Sequence, residues 1–378
     1  MKISLLVHNL SGNNLVRVYP IAKTLERFCT VEILGFSGPE GVFAPYRNEF
    51  RFEAFPMPTM GTLASAFRAV AGRISGDILY AFKPNPLSFG VGLFASKQLR
   101  LPLVLDIEDF DIAFQIQRGF WGIMRNVARV WDIQSLGYAT LTDLLTSLAG
   151  RITVGSTFLQ RRYGGVIVPH GADTSVFDPA AFNSREIRSR WGFDDEFIIL
   201  FAGKPSEHKG LDSLTRIVVS WNNRRSKRLM RLLVVGGAEN DAIVVGLKKT
   251  AGECLVHLPY QPHDRMPEIL SLADTVVLPQ KKTLYTQAQI PGKLYEAMAM
   301  EKAIVATAVS DLPRILDGCG IIVQPDSPAE FGEAVGTLYD NPQRAKQIGR
   351  AARKQCEKHY SWNAMQPTLE AVFNDLRQ

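Results

Sequence analysis

The sequence has few cysteines, no long hydrophobic run and no strong excess of either charge. Four of the 378 residues are cysteine, and they lie far apart, at Cys29, Cys254, Cys319 and Cys356. No two of them form the Cys-x-x-Cys pair of a zinc or redox site, which argues against a structural zinc site and a disulfide scaffold. This usage of cysteine is typical of a protein in a reducing cytoplasm.

No uninterrupted apolar stretch approaches the about 18–20 residues that a helix needs to cross a bilayer. Residues 2–7 are mostly apolar, but the sequence turns polar at Asn9. This run is too short for a signal peptide and predicts a first strand instead. We therefore expect a cytoplasmic protein that does not cross a membrane but can bind to the inner face of one.

The positive charge is spread along the chain. The net charge is +6, and residues 1–180 and 181–378 each carry an excess of three positive charges. A protein that binds duplex DNA usually concentrates its basic residues in one stripe. The charge therefore favours small anions or an anionic membrane as partners, and no nucleic acid is expected.

The length is sufficient for two domains of similar size. Short apolar runs alternate with amphipathic segments, and the pattern occurs twice along the chain. Runs that are apolar throughout predict parallel strands covered on both faces, so each series predicts a doubly wound α/β domain. The predicted strands are residues 2–7, 31–35, 77–82, 103–107, 197–202, 231–235, 255–258, 275–278, 303–307 and 320–323, with a helix at 15–29.

The boundary between the two series is predicted near residue 172, because residues 166–179 are rich in turn formers and end in Pro179. We expect Rossmann-like domains at 1–171 and 172–361, facing each other across a cleft. Ligands of such sheets bind at the carboxyl ends of the strands. The segment 362–378 has apolar residues at helical spacing and is expected to pack back on the first domain.

Two lysines follow the first strand of the second series. Lys204 and Lys209 lie between the strand that ends near Gly203 and a helix that begins near Gly210. Two ammonium groups beside a helix N-terminus are suited to a diphosphate. The alternative interpretation is a pair of lysines in a solvated loop.

A second candidate segment lies further along the chain. Pro291 and Gly292 open a predicted helix that carries Glu296 in its first turn. The amides of such a loop can face a phosphate, and a carboxylate can accept hydrogen bonds from both hydroxyls of a ribose. The alternative interpretation is a glutamate that complements the helix dipole.

The order and spacing of these motifs resemble the retaining family 4 glycosyltransferases, also called glycosyl transferases group 1, which have the GT-B fold. The resemblance is good over residues 166–362 and weaker over residues 1–165. The motifs that carry it are Pro169-His170-Gly171-Ala172-Asp173, the loop ending in Lys209-Gly210, Ala273-Asp274 followed by Pro279, and Glu296 followed by Ala297-Met298-Ala299.

The resemblance implies a transferase that moves a hexosyl or related group from a nucleotide diphosphate sugar to a hydroxyl of a sugar or a lipid-linked sugar. Such an enzyme needs no cofactor and no metal, and belongs to polysaccharide or glycoconjugate assembly. Lys209 would also act in catalysis by stabilising the charge on the leaving diphosphate. The donor-binding residues it implies are Gly12, Lys204, Lys209, Tyr260, Gln261, Pro262, Gln289, Ile290, Pro291, Gly292, Lys293, Leu294 and Glu296.

Among the departures of the chain from the family pattern, two concern the transferred sugar and the acceptor. Ala288 stands where the first glutamate of the Glu-x7-Glu motif is expected, and Gln287 or Gln289 is a candidate substitute. Glu108-Asp109 stands where the family often has His-Asp. We predict a catalytic role for Glu108 and Asp109, with one acidic residue of Asp106, Glu108 and Asp109 positioning the acceptor hydroxyl.

The tripeptide from Asp109 to Asp111 also matches the Asp-x-Asp metal signature of the other large glycosyltransferase fold. It lies far in sequence from the lysine loop, so we expect no metal site there.

Residues 118–136 are the candidate membrane-binding segment. As a helix they would place three arginines on one face and four apolar residues on the other. Such a segment either binds an anionic membrane weakly or packs on the core as an ordinary surface helix. The residues are Arg118, Arg125 and Arg129, with Phe120, Ile123, Val127 and Trp131 opposite.

Two other functions stay open at this point. Ala288 is compatible with a non-catalytic subunit that binds a nucleotide sugar. A nucleotide-sugar epimerase or hydrolase of the same fold would need a further acid or base that the sequence does not offer. An NAD-dependent oxidoreductase is disfavoured, because the loop from Leu10 to Leu15 lacks the Gly-x-Gly-x-x-Gly pattern.

Overall fold

The computed structural model describes residues 1–116, 124, 132–133, 135–193, 195–224 and 228–377. The chain divides into two units. Unit 1 contains Met1–His170 and Met365–Gln378, and unit 2 contains Gly171–Ala364. Unit 2 is therefore continuous in sequence, whereas unit 1 is made of two separate segments.

Unit 1 is built on a sheet of seven strands in the order β3-β2-β1-β4-β5-β6-β7, and every pairing is parallel. The strands are β1 Lys2–Val7, β2 Thr30–Ser37, β3 Phe52–Pro56, β4 Ile78–Phe82, β5 Leu103–Ile107, β6 Arg151–Val154 and β7 Val166–Ile167. Its helices within the described ranges include Leu15–Leu25, Leu63–Ala71, Val91–Leu99, Asp111–Ile116, Leu136–Leu144 and Thr157–Tyr163, and the helix Trp362–Asn374 enters this unit at Met365.

Unit 2 is built on six parallel strands in the order β10-β9-β8-β11-β12-β13. They are β8 Phe197–Ala202, β9 Met230–Val235, β10 Leu255–Leu258, β11 Thr275–Leu278, β12 Ala303–Thr307 and β13 Ile321–Val323. The helices are Ser184–Arg190, Leu211–Arg224, Ala242–Ala251, Met266–Leu272, Leu284–Ala288, Lys293–Ala299, Leu312–Ile315, Pro328–Asp340 and Pro342–His359.

Successive residues of β8 enter separate hydrophobic cores. Ile198 and Leu200 belong to one core, and Phe197, Ile199 and Phe201 to the other. Because successive side chains of a strand point to opposite faces, the sheet of unit 2 is covered on both faces. The predicted doubly wound α/β fold is confirmed.

Each sheet reverses its strand order at one place, and that place positions the candidate site. In unit 1 the reversal lies between β1 and β4, and in unit 2 between β8 and β11. The chain leaves such strands in opposite directions, so a crevice opens at their carboxyl ends, where ligands of this fold bind. His8 follows β1 and Lys83 follows β4, while Gly203 follows β8 and Pro279 follows β11.

The structure corrects the predicted elements at several places. Strands β3, β6 and β7 were not predicted, and Val166–Ile167, predicted as part of a linker, pairs with β6. A two-residue strand is too short to give a hydrophobic pattern, and β3 is a partly exposed edge strand. The helix predicted at 15–29 ends at Leu25.

Within the described ranges, no helix is long and apolar enough to cross a membrane. Most of the predicted membrane-binding segment lies outside the described residues. This applies to Arg118, Phe120, Trp121, Ile123, Arg125, Val127, Arg129 and Trp131.

Candidate functional site

A buried ion pair organises the carboxyl ends of the unit 1 strands. The Nε and Nη2 groups of Arg17 each donate a hydrogen bond of 2.8 Å to one oxygen of Asp106, the last but one residue of β5. Both side chains are 1% exposed. Thr153 donates to the same carboxylate at 2.7 Å, and Tyr80 at 3.3 Å. The carboxylate of Asp106 therefore accepts its hydrogen bonds from buried groups of unit 1. Of the three candidates for positioning the acceptor hydroxyl, this excludes Asp106.

Next to this pair lies a cluster of one lysine and three carboxylates, which we call the Lys83 cluster. The Nζ of Lys83 lies 2.7 Å from Asp109, 3.3 Å from Asp111 and 3.7 Å from Glu108. Lys83 follows β4, and the carboxylates follow β5, its neighbour in the sheet. The predicted catalytic residues Glu108 and Asp109 thus lie together at the carboxyl edge of the sheet.

The charges of the cluster do not balance if all three carboxylates are ionised. Burial is the main cause that raises the pKa of Glu108 to about 8, with the neighbouring charge of Asp109 acting in the same direction. Burial also raises the pKa of Asp111. Burial and the charge of Lys83 lower the pKa of His8 to about 3, so this histidine is neutral. His170 lies 3.8 Å from Glu108.

The same carboxylates form the Asp-x-Asp tripeptide considered above as a metal site. In the structure the ammonium of Lys83 lies against both Asp109 and Asp111. Among the described residues, no group of three His, Cys, Asp or Glu side chains could hold a metal ion.

Gly12 lies in the loop after β1, among residues that are hydrogen-bonded to one another and to Gly41. Asn14 donates to the Asn9 carbonyl at 3.3 Å, and the Ser11 hydroxyl donates to the Gly41 carbonyl at 2.6 Å. A Cβ at Gly12 would lie 3.0 Å from the side-chain amide of Asn14. The fold therefore leaves little room for a larger residue here, and the proposed approach to a phosphate stays a prediction.

In unit 2 the two predicted lysines follow β8. Lys204 is exposed, and Lys209 is half-buried at the end of a 3-10 turn, Glu207–Lys209. Gly210 then adopts a left-handed conformation with φ of 66°, and a Cβ there would collide with the Pro279 carbonyl oxygen. Only glycine permits this contact, which fixes the lysine loop against the end of β11.

Lys209 is held by a residue of the second predicted motif. Its Nζ donates a 2.8 Å hydrogen bond to Oε1 of Gln289, and Gln289 donates to the Tyr285 hydroxyl at 3.0 Å. Gln287 instead accepts a 2.9 Å bond from the Ser310 amide, and Ala288 is fully buried. Of the two candidate substitutes for the missing glutamate, Gln289 is therefore the one next to the lysine loop.

Glu296 lies near a histidine from another part of unit 2. Nε2 of His263 and Oε1 of Glu296 are 3.2 Å apart, and both side chains are mostly buried. Burial alone would raise the pKa of Glu296, but the hydrogen bond from His263 and the charges of His263 and Lys293 lower it overall. Glu296 is therefore an ionised carboxylate that can accept hydrogen bonds.

The remaining predicted donor residues differ in what they can offer. Ile290 and Leu294 are buried in the hydrophobic core, so they can reach a ligand only through backbone groups. Tyr260 is exposed, and Gln261 bonds the Pro259 carbonyl at 3.1 Å. Pro262 precedes the short turn that carries His263. Pro291, Gly292 and Lys293 are half-buried at the start of helix Lys293–Ala299.

Four residues of these clusters, His8, Arg17, Lys83 and His170, were not singled out from the sequence. His8 and Lys83 directly follow apolar strands, and His170 was noted only as part of a linker motif. His8 and Lys83 could have been predicted as site residues, because each is a polar residue at the carboxyl end of a strand that flanks the reversal in strand order. Arg17 gave no such signal, since it lies within an amphipathic helix.

The fold and the two clusters describe a two-unit α/β protein of the Rossmann type with polar groups at the strand ends of both sheets. The family described as Glycosyl transferases group 1 matches residues 196–341. Solved structures of similar fold include a glycosyltransferase from Rickettsia africae, with 14% identity, a TM-score of 0.73, and 100% and 98% of the two chains covered. Another is Anabaena HepE in complex with UDP-glucose, with 16% identity, a TM-score of 0.74, and 99% and 100% covered.

Curated relatives match in sequence over part of their length. The alpha-D-kanosaminyltransferase of Streptomyces kanamyceticus is 25% identical over 206 residues, which cover 50% of this chain and 49% of the relative. The D-inositol 3-phosphate glycosyltransferase of Corynebacterium aurimucosum is 27% identical over 224 residues, which cover 56% and 51%. The chain spans about half the length of these relatives. The match to the group 1 glycosyl transferases is confined to residues 196–341, and the solved structures of similar fold confirm the predicted two-domain α/β fold of the GT-B type.

Proposed function

We propose that this protein transfers a sugar from a nucleoside diphosphate sugar to a hydroxyl of a sugar or lipid-linked acceptor, in polysaccharide or glycoconjugate assembly. The proposal assigns it to family 4, with retention of configuration at the anomeric carbon. The observation that carries it is the 2.8 Å hydrogen bond from Lys209 to Gln289, which joins the lysine loop to the motif that contains Glu296. Both motifs lie within the residues that match the family.

In the proposed reaction, unit 2 binds the nucleotide. Lys204 and Lys209 hold the diphosphate, and Lys209 stabilises the negative charge that grows on it as its bond to the anomeric carbon breaks. Glu296 accepts hydrogen bonds from the ribose. Glu108 and Asp109 position the acceptor hydroxyl, whose oxygen forms the new bond.

The first test is a panel of UDP-, GDP- and ADP-sugars with soluble and lipid-linked acceptors. We expect release of the nucleoside diphosphate from one donor, together with a glycosylated acceptor whose anomeric configuration matches that of the donor. Activity should survive EDTA, because Lys204 and Lys209 supply the charge that a cation would otherwise provide. Loss of activity with EDTA, restored by Mg²⁺ or Mn²⁺, would contradict the metal-independent mechanism.

A non-catalytic role as a nucleotide-sugar-binding subunit has one observation in its favour. Ala288 occupies the position of a glutamate in the family motif and is fully buried, so it offers no polar group to the transferred sugar. In this case the same panel would give binding of a nucleotide sugar by calorimetry with no turnover of any donor.

The role of Glu296 is tested by replacing it with glutamine. A carboxylate that accepts hydrogen bonds from ribose hydroxyls contributes about 1.5–3 kcal/mol. We therefore expect Glu296→Gln to weaken UDP binding by about tenfold to a hundredfold. Binding of 2′,3′-dideoxy-UDP should change little, because it lacks these hydroxyls. Calorimetry with both nucleotides measures the difference.

The matched control is Glu333→Gln, an exposed glutamate on helix Pro328–Asp340. It should leave the affinity for both nucleotides unchanged. An equal loss of affinity for UDP and the dideoxy nucleotide in Glu296→Gln would show that Glu296 supports the fold or the phosphates rather than the ribose.

We further propose that the protein works in the cytoplasm and associates weakly with the inner membrane face. The basis is the sequence of residues 118–136, in which three arginines lie among three aromatic residues. Flotation with anionic liposomes at low and high salt tests this, and charge reversal at Arg125 and Arg129 should reduce the bound fraction. If the protein does not float at low salt, the membrane proposal is wrong.

A further inference from the structure

Lys83 combines an unfavourable backbone conformation with a central position among charges. Its φ is 71°, a left-handed value that residues other than glycine rarely adopt, and it precedes Pro84, which further restricts its backbone. Backbone bonds hold it there: its amide donates to the Asp106 carbonyl at 2.8 Å, and its carbonyl accepts from the Ser88 hydroxyl at 3.0 Å. Conformations of this kind persist where the surrounding structure imposes them, and they are concentrated at functional sites.

The ammonium of Lys83 lies at different distances from its three carboxylate neighbours. It lies within hydrogen-bonding distance of Asp109 and Asp111, at 2.7 and 3.3 Å, but 3.7 Å from Glu108. Lys83 carries one positive charge against three carboxylates whose side chains are 13%, 10% and 32% exposed for Glu108, Asp109 and Asp111, so a proton on one of them relieves their mutual repulsion. Glu108 is the carboxyl group farthest from the ammonium, and its side chain is 13% exposed.

Two groups beside the cluster differ in their effect on it. His8 is neutral, and Arg17 is paired with Asp106, although its charge also lowers the pKa of Glu108. Among the described residues, the charged and titratable groups that face the cluster from the surrounding elements include His8, Arg17, Asp106, Asp143 and His170. Lys83 is a cation that contacts both Asp109 and Asp111 directly.

We propose that Lys83 is a positioning residue that keeps Asp109 ionised and fixed in place and leaves the exchangeable proton of the cluster on Glu108. The two residues proposed to position the acceptor hydroxyl then have different roles. Asp109 accepts a hydrogen bond from that hydroxyl, and the protonated Glu108 donates one to a sugar oxygen. The expected effect on kinetics rests on the proposed function, whereas the location of the proton does not depend on it.

The proton is measured first, without any substrate. Infrared spectra of the whole protein at neutral pH should contain the carbonyl stretch of a buried protonated carboxyl group, and this band should disappear in Glu108→Gln. Lys83 and Arg17 lower the pKa of Glu108 against the effects of burial and Asp109. Removing Lys83 should therefore raise it, so that in Lys83→Met the band persists to a pH about one unit or more above the value at which the wild type loses it.

The kinetic test uses the donor and acceptor found with the panel. The wild type should lose activity as the pH rises through the pKa of Glu108, near 8, because Glu108 then loses the proton it donates. In Lys83→Met this alkaline limb should move to higher pH. We expect kcat to fall by about tenfold to a hundredfold while the donor KM changes by less than about threefold, since Asp109 loses its fixed position but unit 2 is intact.

Two variants separate positioning from a general effect on folding. Lys83→Arg keeps the charge and should restore both the wild-type pH profile and the infrared band. Lys97→Met removes an exposed lysine from helix Val91–Leu99 of the same unit and should change neither. Circular dichroism checks that all variants are folded.

The outcomes are distinguishable from a failure of the proposed function. If no donor is turned over by the wild type, that function fails, and the infrared measurements still test where the proton lies. If Lys83→Met is folded and keeps the wild-type infrared titration, the proposal for Lys83 is wrong. The same conclusion follows if its pH profile is unchanged or if Glu108→Gln retains the band.

Discussion

Replacing Arg17 with methionine is expected to destabilise unit 1 by about 3–5 kcal/mol. The guanidinium forms two hydrogen bonds of 2.8 Å with Asp106, and both side chains are 1% exposed. Removing one partner of a buried ion pair leaves the other charge buried without compensation, and this costs far more than the net contribution of the pair. Thr153 and Tyr80 would still donate to Asp106, but neither carries a positive charge. Denaturant unfolding followed by circular dichroism measures the change.

The control for this measurement is Arg73→Met. Arg73 and Glu53 form an ion pair in the same unit, but their side chains are 69% and 47% exposed. Exposed pairs contribute little, so we expect a change below about 1 kcal/mol. In addition, the double variant Arg17→Met with Asp106→Leu should be more stable than Arg17→Met alone. If the two single arginine variants unfold alike, the importance assigned to the buried pair is wrong.

Lys209→Met is expected to weaken the binding of UDP by about tenfold to a hundredfold. In the proposed site Lys209 donates to a phosphate oxygen, and a charge-assisted hydrogen bond of this kind is worth about 1.5–3 kcal/mol. Its ammonium already donates a 2.8 Å hydrogen bond to Gln289. Uridine, which has no phosphate, should bind the variant as it binds the wild type. Calorimetry with UDP and uridine separates the two contributions, and kcat of transfer should fall as well.

Lys249→Met is the matched control, since Lys249 is exposed on helix Ala242–Ala251 of the same unit. It should leave UDP binding unchanged at moderate salt, where distant surface charges are screened. If Lys209→Met binds UDP with wild-type affinity and keeps full turnover, Lys209 does not bind the diphosphate.

The sequence was sufficient to predict the fold because most of the strands are largely apolar runs. Strands β5, β8, β10, β11 and β12 were predicted with the bounds that the structure has. Strand β3 was missed because an edge strand of a parallel sheet is partly exposed and carries Glu53, which interrupts the apolar run. Strand β7 was missed because its two residues pair with β6 without any local pattern.

The site was less predictable, since it depends on contacts between distant parts of the chain. Lys209 and Gln289 are 80 residues apart, and nothing in either motif shows that they touch. The sequence does not distinguish the carboxylates of Asp106 and Glu108 as candidates. In the structure Arg17, which lies 89 residues before Asp106, forms an ion pair with Asp106 and not with Glu108. The polar residues at the strand ends could be predicted from the sequence. Their hydrogen-bond and ion-pair partners could be identified only from the three-dimensional structure.

The interrupted course of unit 1 has a consequence for the order of folding. Unit 2 is one continuous segment, and its two ends are hydrogen-bonded to each other, from the Ala172 amide to the Tyr360 carbonyl and from the Trp362 amide to the Ala172 carbonyl. Unit 1 is complete only when Met365–Gln378 is present, because Leu369 and Phe373 are fully buried and Phe373 packs edge-on against Tyr80 of β4 at 5.3 Å. A growing chain therefore contains all of unit 2 before it contains the second segment of unit 1, so unit 1 can reach its final packing only after Met365–Gln378 has been synthesised.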